Sequence, residues 1–327
     1  MKQLILNFPQ QLEEALSIGQ SYLFKTPEKP YKNVVLTGLG GSGIGGSIVQ
    51  NYVADKMTVP FWVNKDYHLP AFVNEDTLVI ACSYSGNTEE TVMALQQALQ
   101  QKATTVCITS GGKIAQLAEE NNLDCIILPG GMPPRACLGY SLVQVLFVLL
   151  HFRLITDSFR NEINDAVSML KSKGGKLEQK GKELAAKLQN KIPVIYAGQQ
   201  LDGVGIRFRQ QLNENSKVLG WSAPIPEMNH NELVGWAGGT DQFAVVILRS
   251  AADNERVKMR MDINKQIFEK YTHTILEIEA KGNTYFEQAF YLIHLTDWAS
   301  YYLSELRGVD ATEVKVIDFL KGELAKK

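Results

Sequence analysis

Apolar residues in this chain gather in short continuous blocks separated by stretches of helical period. The blocks at 33–37, 77–82, 104–109 and 124–129 lack the alternation of a half-exposed strand. Continuous apolar blocks suit strands covered on both faces, as in a parallel sheet. Between them, residues 89–102 and 113–121 carry the three-and-four spacing of amphipathic helices. Strand and helix in turn predict right-handed βαβ units, with a ligand crevice at the carboxyl ends of the strands. From 138 to 191 the pattern is helical throughout. It ends in a charged run, 171–191, which Gly174-Gly175 interrupts and which is expected to be a solvated helix face. The second half repeats the theme more loosely, with strands expected at 192–197, 243–248 and 274–279. Helices are expected at 205–215, 257–270, 285–306 and 312–326.

Two small-residue loops follow the first and second blocks. One reads Gly38-Leu39-Gly40-Gly41-Ser42-Gly43-Ile44-Gly45-Gly46, the other Ser83-Tyr84-Ser85-Gly86-Asn87-Thr88-Glu89-Glu90. Each passes from strand to helix N-terminus, where unpaired amides and the helix dipole favour an anion. Ser83, Ser85 and Thr88 add hydroxyl donors, and neither loop holds a lysine. That combination suits the monophosphate of a small metabolite better than a nucleoside triphosphate. The spacing from Gly38 also permits a dinucleotide fingerprint. Such a site wants an acidic residue ending the next strand to bind ribose, and the following region, 61–66, offers only Asp66, after a lysine. A glycine turn serving only tight packing is the bland alternative.

Composition narrows the classes. The 327 residues leave room for two α/β domains. With 33 basic and 35 acidic residues, net charge −2, there is no electrostatic case for nucleic acid or an anionic membrane. The most apolar stretch, 138–155, carries Gln144, His151 and Arg153, and reads as a buried interdomain helix rather than a membrane span. Cys82, Cys107, Cys125 and Cys137 lack metal-ligand spacing and read as buried free thiols of a reducing compartment. The N-terminus shows no signal-peptide pattern, so a cytoplasmic location is expected.

Three further residues carry candidate chemistry. Arg135 ends the rigid loop Gly130-Gly131-Met132-Pro133-Pro134-Arg135, where it either offers a directed pair of donors or caps the helix that follows. Glu214 lies near the end of a helical pattern, and His230 in a loop bracketed by Pro224 and Pro226. A glutamate and a histidine suffice to move a proton on carbon and open a sugar ring, although each alone is ordinarily structural.

In order along the chain come the two loops, Pro133-Pro134-Arg135, Asn213-Glu214-Asn215-Ser216-Lys217, Asn229-His230-Asn231-Glu232 and Leu306-Arg307-Gly308-Val309-Asp310. This series resembles the bifunctional phosphoglucose/phosphomannose isomerase family over essentially the whole chain. The resemblance implies two sugar-isomerase (SIS) domains, each a three-layer αβα sandwich. They would span 1–155 and 192–327, with 156–191 as a helical connection. It implies a homodimeric isomerase of glucose 6-phosphate, mannose 6-phosphate and fructose 6-phosphate that needs no metal or organic cofactor. Gly40, Gly41, Ser42, Ser83, Ser85 and Thr88 would bind the phosphate, and Arg135 would steady an enediolate. Glu214 would shuttle the proton, and His230, donated by the other subunit, would assist ring opening. Lys321, with Lys315 the competitor, would match the family's lysine on the C-terminal helix, and Thr312 its residue for selectivity at C2. Where family members often read Val-Asp-Pro-Thr-Pro-Val, this chain reads Val309-Asp310-Ala311-Thr312-Glu313-Val314. Two rivals to this reading are a non-catalytic sugar-phosphate sensor and an isomerase of another sugar phosphate.

Overall fold

The continuous apolar blocks become the strands they predict. The structure, a computed structural model that describes residues 1–324 and Lys326, contains two parallel sheets flanked by helices, the α/β architecture expected. Ala325, within the expected last helix, and Lys327 lie outside the described residues. The first sheet comprises β1 (Asn33–Thr37), β2 (Phe61–Asn64), β3 (Thr77–Cys82), β4 (Thr104–Thr109) and β5 (Asp124–Ile127) in the order β2-β1-β3-β4-β5. Every pairing is parallel. β3 is buried at every position, which explains why it carries no polar alternation. The strand order reverses where β1 meets β3, and in open α/β sheets the ligand crevice lies at that reversal, beyond the carboxyl ends. The two small-residue loops follow those two strands.

The second sheet contains β6 (Ile192–Gly198), β7 (Trp221–Ile225), β8 (Phe243–Arg249) and β9 (Ile275–Glu279) in the order β7-β6-β8-β9, again all parallel. That order repeats β2-β1-β3-β4. The strand at 221–225 escapes the sequence pattern because Pro224 lies within it. As the edge strand it tolerates a residue with no amide to donate.

Two compact units divide the chain, and their boundaries differ from those expected. One unit is Leu6–Ser172 with Gly282–Gln288; the other is Met1–Ile5, Lys173–Lys281 and Ala289–Lys327. The expected connection is therefore no separate element. Its helix, Phe159–Leu188, runs through Gly174-Gly175 without a break and contributes one stretch to each unit. Glycine costs a helix about 1 kcal/mol against alanine, and the buried Leu170, Leu177, Leu184 and Leu188 on this helix outweigh that. Helicity is instead interrupted at 152–158. The apolar helix Leu138–His151 is not interdomain: it packs on the helices Phe8–Ser21 and Gly40–Val53 inside the first unit and is buried nearly all round. Among the described residues no helix is long and apolar enough to cross a membrane. Cys82, Cys107 and Cys137 are buried thiols, and Cys125 is half-buried.

Candidate active site

The first unit gathers its predicted residues at the strand-order reversal. Helix Gly40–Val53 starts directly after β1, and helix Glu89–Gln100 after the β3 loop; neither N-terminus is capped by a side chain. Thr88 occupies the N-cap of the second helix, yet its hydroxyl is turned to Ser83 Oγ, 2.9 Å away. The Tyr84 amide donates to Ser42 Oγ at 3.2 Å, joining the two loops, and the Asn87 amide donates to Ser85 Oγ at 3.3 Å. Gly86 has φ +69°, and a Cβ there would stand 1.7 Å from the Gly111 carbonyl oxygen, so only glycine closes this turn. Ser42 and Ser83 are both buried. Burial pushes the neighbouring Cys82 thiol up to about 12, against the opposing hydrogen bond with Ser42, so it is no nucleophile.

Arg135 joins this group. A Cβ on Gly41 would lie 2.7 Å from the Pro134 carbonyl oxygen and 3.4 Å from the Arg135 nitrogen, so the Pro-Pro-Arg turn rests on the first turn of the glycine helix. The Arg135 side chain is buried, as a surface cap would not be. Tyr84 sets this loop: its hydroxyl donates to the Pro129 carbonyl at 2.7 Å and accepts the Met132 amide at 3.3 Å. The sequence offered one signal for Tyr84, an aromatic ring amid hydroxyls. Lys65, beyond β2, donates to Ser47 Oγ at 3.0 Å on the same glycine helix. Asp66, the candidate ribose acid, accepts the amide of Tyr67 beside it.

The second unit carries Glu214, His230, Thr312 and Lys321. Glu214 is half-buried near the end of helix Asp202–Ser216. That helix is fixed to helix Tyr285–Leu306 by polar contacts one turn apart. Arg207 pairs with Asp297 at 2.8 Å, Gln211 donates to Asp297 at 2.9 Å, and Asn215 donates to Ser300 Oγ at 2.9 Å. His230 ends the short turn Glu227–His230 and is exposed. Buried Met228 and the 2.7 Å bond from Asn229 to Asn264 anchor the turn. Glu232, which follows His230 in the sequence motif, accepts the Trp221 indole N–H at 2.6 Å and the Tyr196 hydroxyl, a structural duty. Thr312 is exposed, with its amide and hydroxyl both donated to Asp310 Oδ1, at 2.7 and 2.6 Å. Lys321 and Lys315 lie on the exposed helix Lys315–Leu324. A cavity of about 710 Å³ along β9, walled by Lys180, Arg249, Glu277 and Tyr291, contains none of these residues, and Arg249 and Glu277 pair across 2.6 Å.

Comparison with known proteins places the architecture first. A SIS-domain model matches residues 30–140, and a model of the bacterial phospho-glucose isomerase C-terminal SIS domain matches 177–324. The C-terminal domain of glucosamine-fructose-6-phosphate aminotransferase from Francisella tularensis shares the fold, with a TM-score of 0.77 at 15% identity over 96% of this chain and 97% of that one. The bifunctional phosphoglucose/phosphomannose isomerase of Caldicellulosiruptor bescii is 38% identical over 98% of this chain and 98% of its own length. That of Aquifex aeolicus is 39% identical over 91% and 92%. The chain belongs to this family of isomerases.

Proposed function

We propose that the protein interconverts glucose 6-phosphate and mannose 6-phosphate with fructose 6-phosphate. Support comes from family membership and from one observation above all. Two uncapped helix N-termini and the hydroxyls of Ser42, Ser83 and Thr88 are held together beside a buried arginine. In this reading Gly40, Gly41, Ser42, Ser83, Ser85 and Thr88 grip the phosphate dianion, and that remote binding energy orients the reacting carbons. His230, with Lys321, assists ring opening. Glu214 takes the proton from C2 of the open aldose and delivers it to C1. The hydroxyl proton passes from O2 to O1, so the aldehyde becomes a ketone by way of a cis-enediol(ate). Arg135 steadies the negative charge that develops on oxygen.

A single carboxylate serves both carbons when they share one face of a planar intermediate. Rotation about C2–C3 then presents either face and accounts for both epimers, with Thr312 tuning the choice. We further propose a homodimer in which His230 is donated across the interface, acting in the cytoplasm on the glycolytic and gluconeogenic hexose phosphates. No step calls on a metal or cofactor.

A coupled assay that starts from fructose 6-phosphate and detects the two aldose phosphates separately tests the assignment. Both should form. Tight binding of fructose 6-phosphate with neither product would point to a sensor, and turnover of a different sugar phosphate alone would point to another isomerase.

A further inference from the structure

We propose that Lys217 is a positioning residue that clamps the Glu214 end of its helix to the Thr312 loop, and thereby sets turnover and the choice between C2 epimers. The inference rests on the reading of Glu214 as the proton carrier.

Lys217 caps helix Asp202–Ser216 in the left-handed conformation, φ 55°, with its backbone N–H on the Leu212 carbonyl. This position ordinarily falls to glycine or asparagine. Here a lysine takes it, as Lys102 and Arg153 take left-handed positions elsewhere, and what sets Lys217 apart is where its side chain reaches. Its Nζ donates to the carbonyls of Glu214 at 2.7 Å, Asp310 at 2.6 Å and Glu313 at 2.9 Å. An ammonium has three hydrogens to give, and each of the three finds a carbonyl. The Glu214 carbonyl belongs to the last helical turn, where carbonyls lack intrahelical partners and a cation is favoured. The other two carbonyls bracket Thr312.

The clamp has a fixed side and a held side. Asn215 and Ser216 bind the helix end to Ser300, at 2.9 and 2.6 Å, so the helix does not yield. On the loop side, the Asp310 carboxylate takes both the amide and the hydroxyl of Thr312. The Thr312 hydroxyl, then its amide, then the Lys217 charge hold that carboxyl below its usual range. The loop therefore sits where Lys217 draws it. The loop itself carries no proline between Val309 and Val314, and Lys217 supplies a restraint from outside it.

Lys217→Met, Lys217→Arg and Glu214→Gln test this on the full chain, with fructose 6-phosphate as substrate and both aldose phosphates measured. Lys217→Met should lower kcat about 10- to 100-fold, the usual penalty for a misplaced reacting group, with KM within about twofold. The ratio of the two epimers formed should shift by about threefold or more, because the Thr312 loop moves relative to Glu214. Lys217→Arg keeps the charge but offers a planar fork in place of three convergent donors; its ratio should lie between those of Met and the wild type. If Lys217→Met does not fold, the Arg variant decides alone. Both rates falling in proportion, or a wild-type ratio in whichever variant folds, overturns the proposal. Full activity of Glu214→Gln would overturn the parent reading instead. An inactive Glu214→Gln beside an unshifted epimer ratio would sink only the clamp.

Discussion

The two sheets share a strand order and differ in what their loops place at the point of reversal. In the first unit the helices after β1 and β3 begin without side-chain caps, beside hydroxyls and a buried arginine. In the second the helix after β6 likewise begins without a side-chain cap, but the helix after β8 meets an acceptor of the protein's own. Asn254 Oδ1 caps the helix after β8 by accepting the Arg256 amide at 2.9 Å. The buried Asp253 fills the corner: its Oδ2 accepts the Ser250 amide at 2.8 Å, and its Oδ1 would lie 2.4 Å from a Cβ on Gly198. Topology makes a place for an anion in both sheets. The helix after β3 starts uncapped beside hydroxyls and a buried arginine, whereas the helix after β8 is capped by Asn254 and flanked by buried Asp253, in the unit that carries Glu214, His230 and Thr312.

The largest way to break this contrast is Gly86→Ala. With φ +69° and the Gly111 carbonyl in the way, the loop must open, at a cost of about 3 kcal/mol or more. Thermal melting should fall markedly and sugar-phosphate binding by calorimetry should vanish; unchanged melting would refute the turn geometry. Ser83→Ala removes one hydroxyl from the cluster and should weaken sugar-phosphate binding by about 1–3 kcal/mol, the range for a lost hydrogen bond to a charged group. Undiminished affinity would mean that the loop holds something else.

The smallest effect belongs to the second unit. Burial, against the Ser250 amide and nearby cations, holds the Asp253 carboxyl above its usual range. The fold thus favours the protonated form, and this group's contribution declines as pH rises through the raised value. Asp253→Asn mimics the protonated form. Its melting temperature relative to the wild type should improve from about pH 4 to about pH 7.5; a difference indifferent to pH would contradict the assignment.

Much of the first unit was legible because its signals are local. β1, β3 and β4 fall on the apolar blocks to the residue, and the hydroxyl loop follows directly on β3. What escaped was set at a distance. Tyr84 earns its place by reaching a carbonyl 45 residues on, and Lys217 by reaching one 93 residues on. Nothing in a short window distinguishes Lys217 from a surface residue, and for Tyr84 the window offers only an aromatic ring amid hydroxyls. β7 was hidden by Pro224, which reads as a loop unless the strand is known to lie at an edge. The unit boundaries were hidden because residues 1–5 and 282–288 each join a unit remote in sequence.

The proposed chemistry divides the labour, with phosphate held by the first unit and the proton moved from the second. Glu214→Gln tests it most directly, by measuring turnover and sugar-phosphate affinity on the same preparation. The expected kcat is lower by about 10²–10⁴, the usual worth of a positioned acid–base group, with affinity within a few-fold of the wild type. Near-normal turnover, or a loss of affinity equal to the loss of rate, would contradict it.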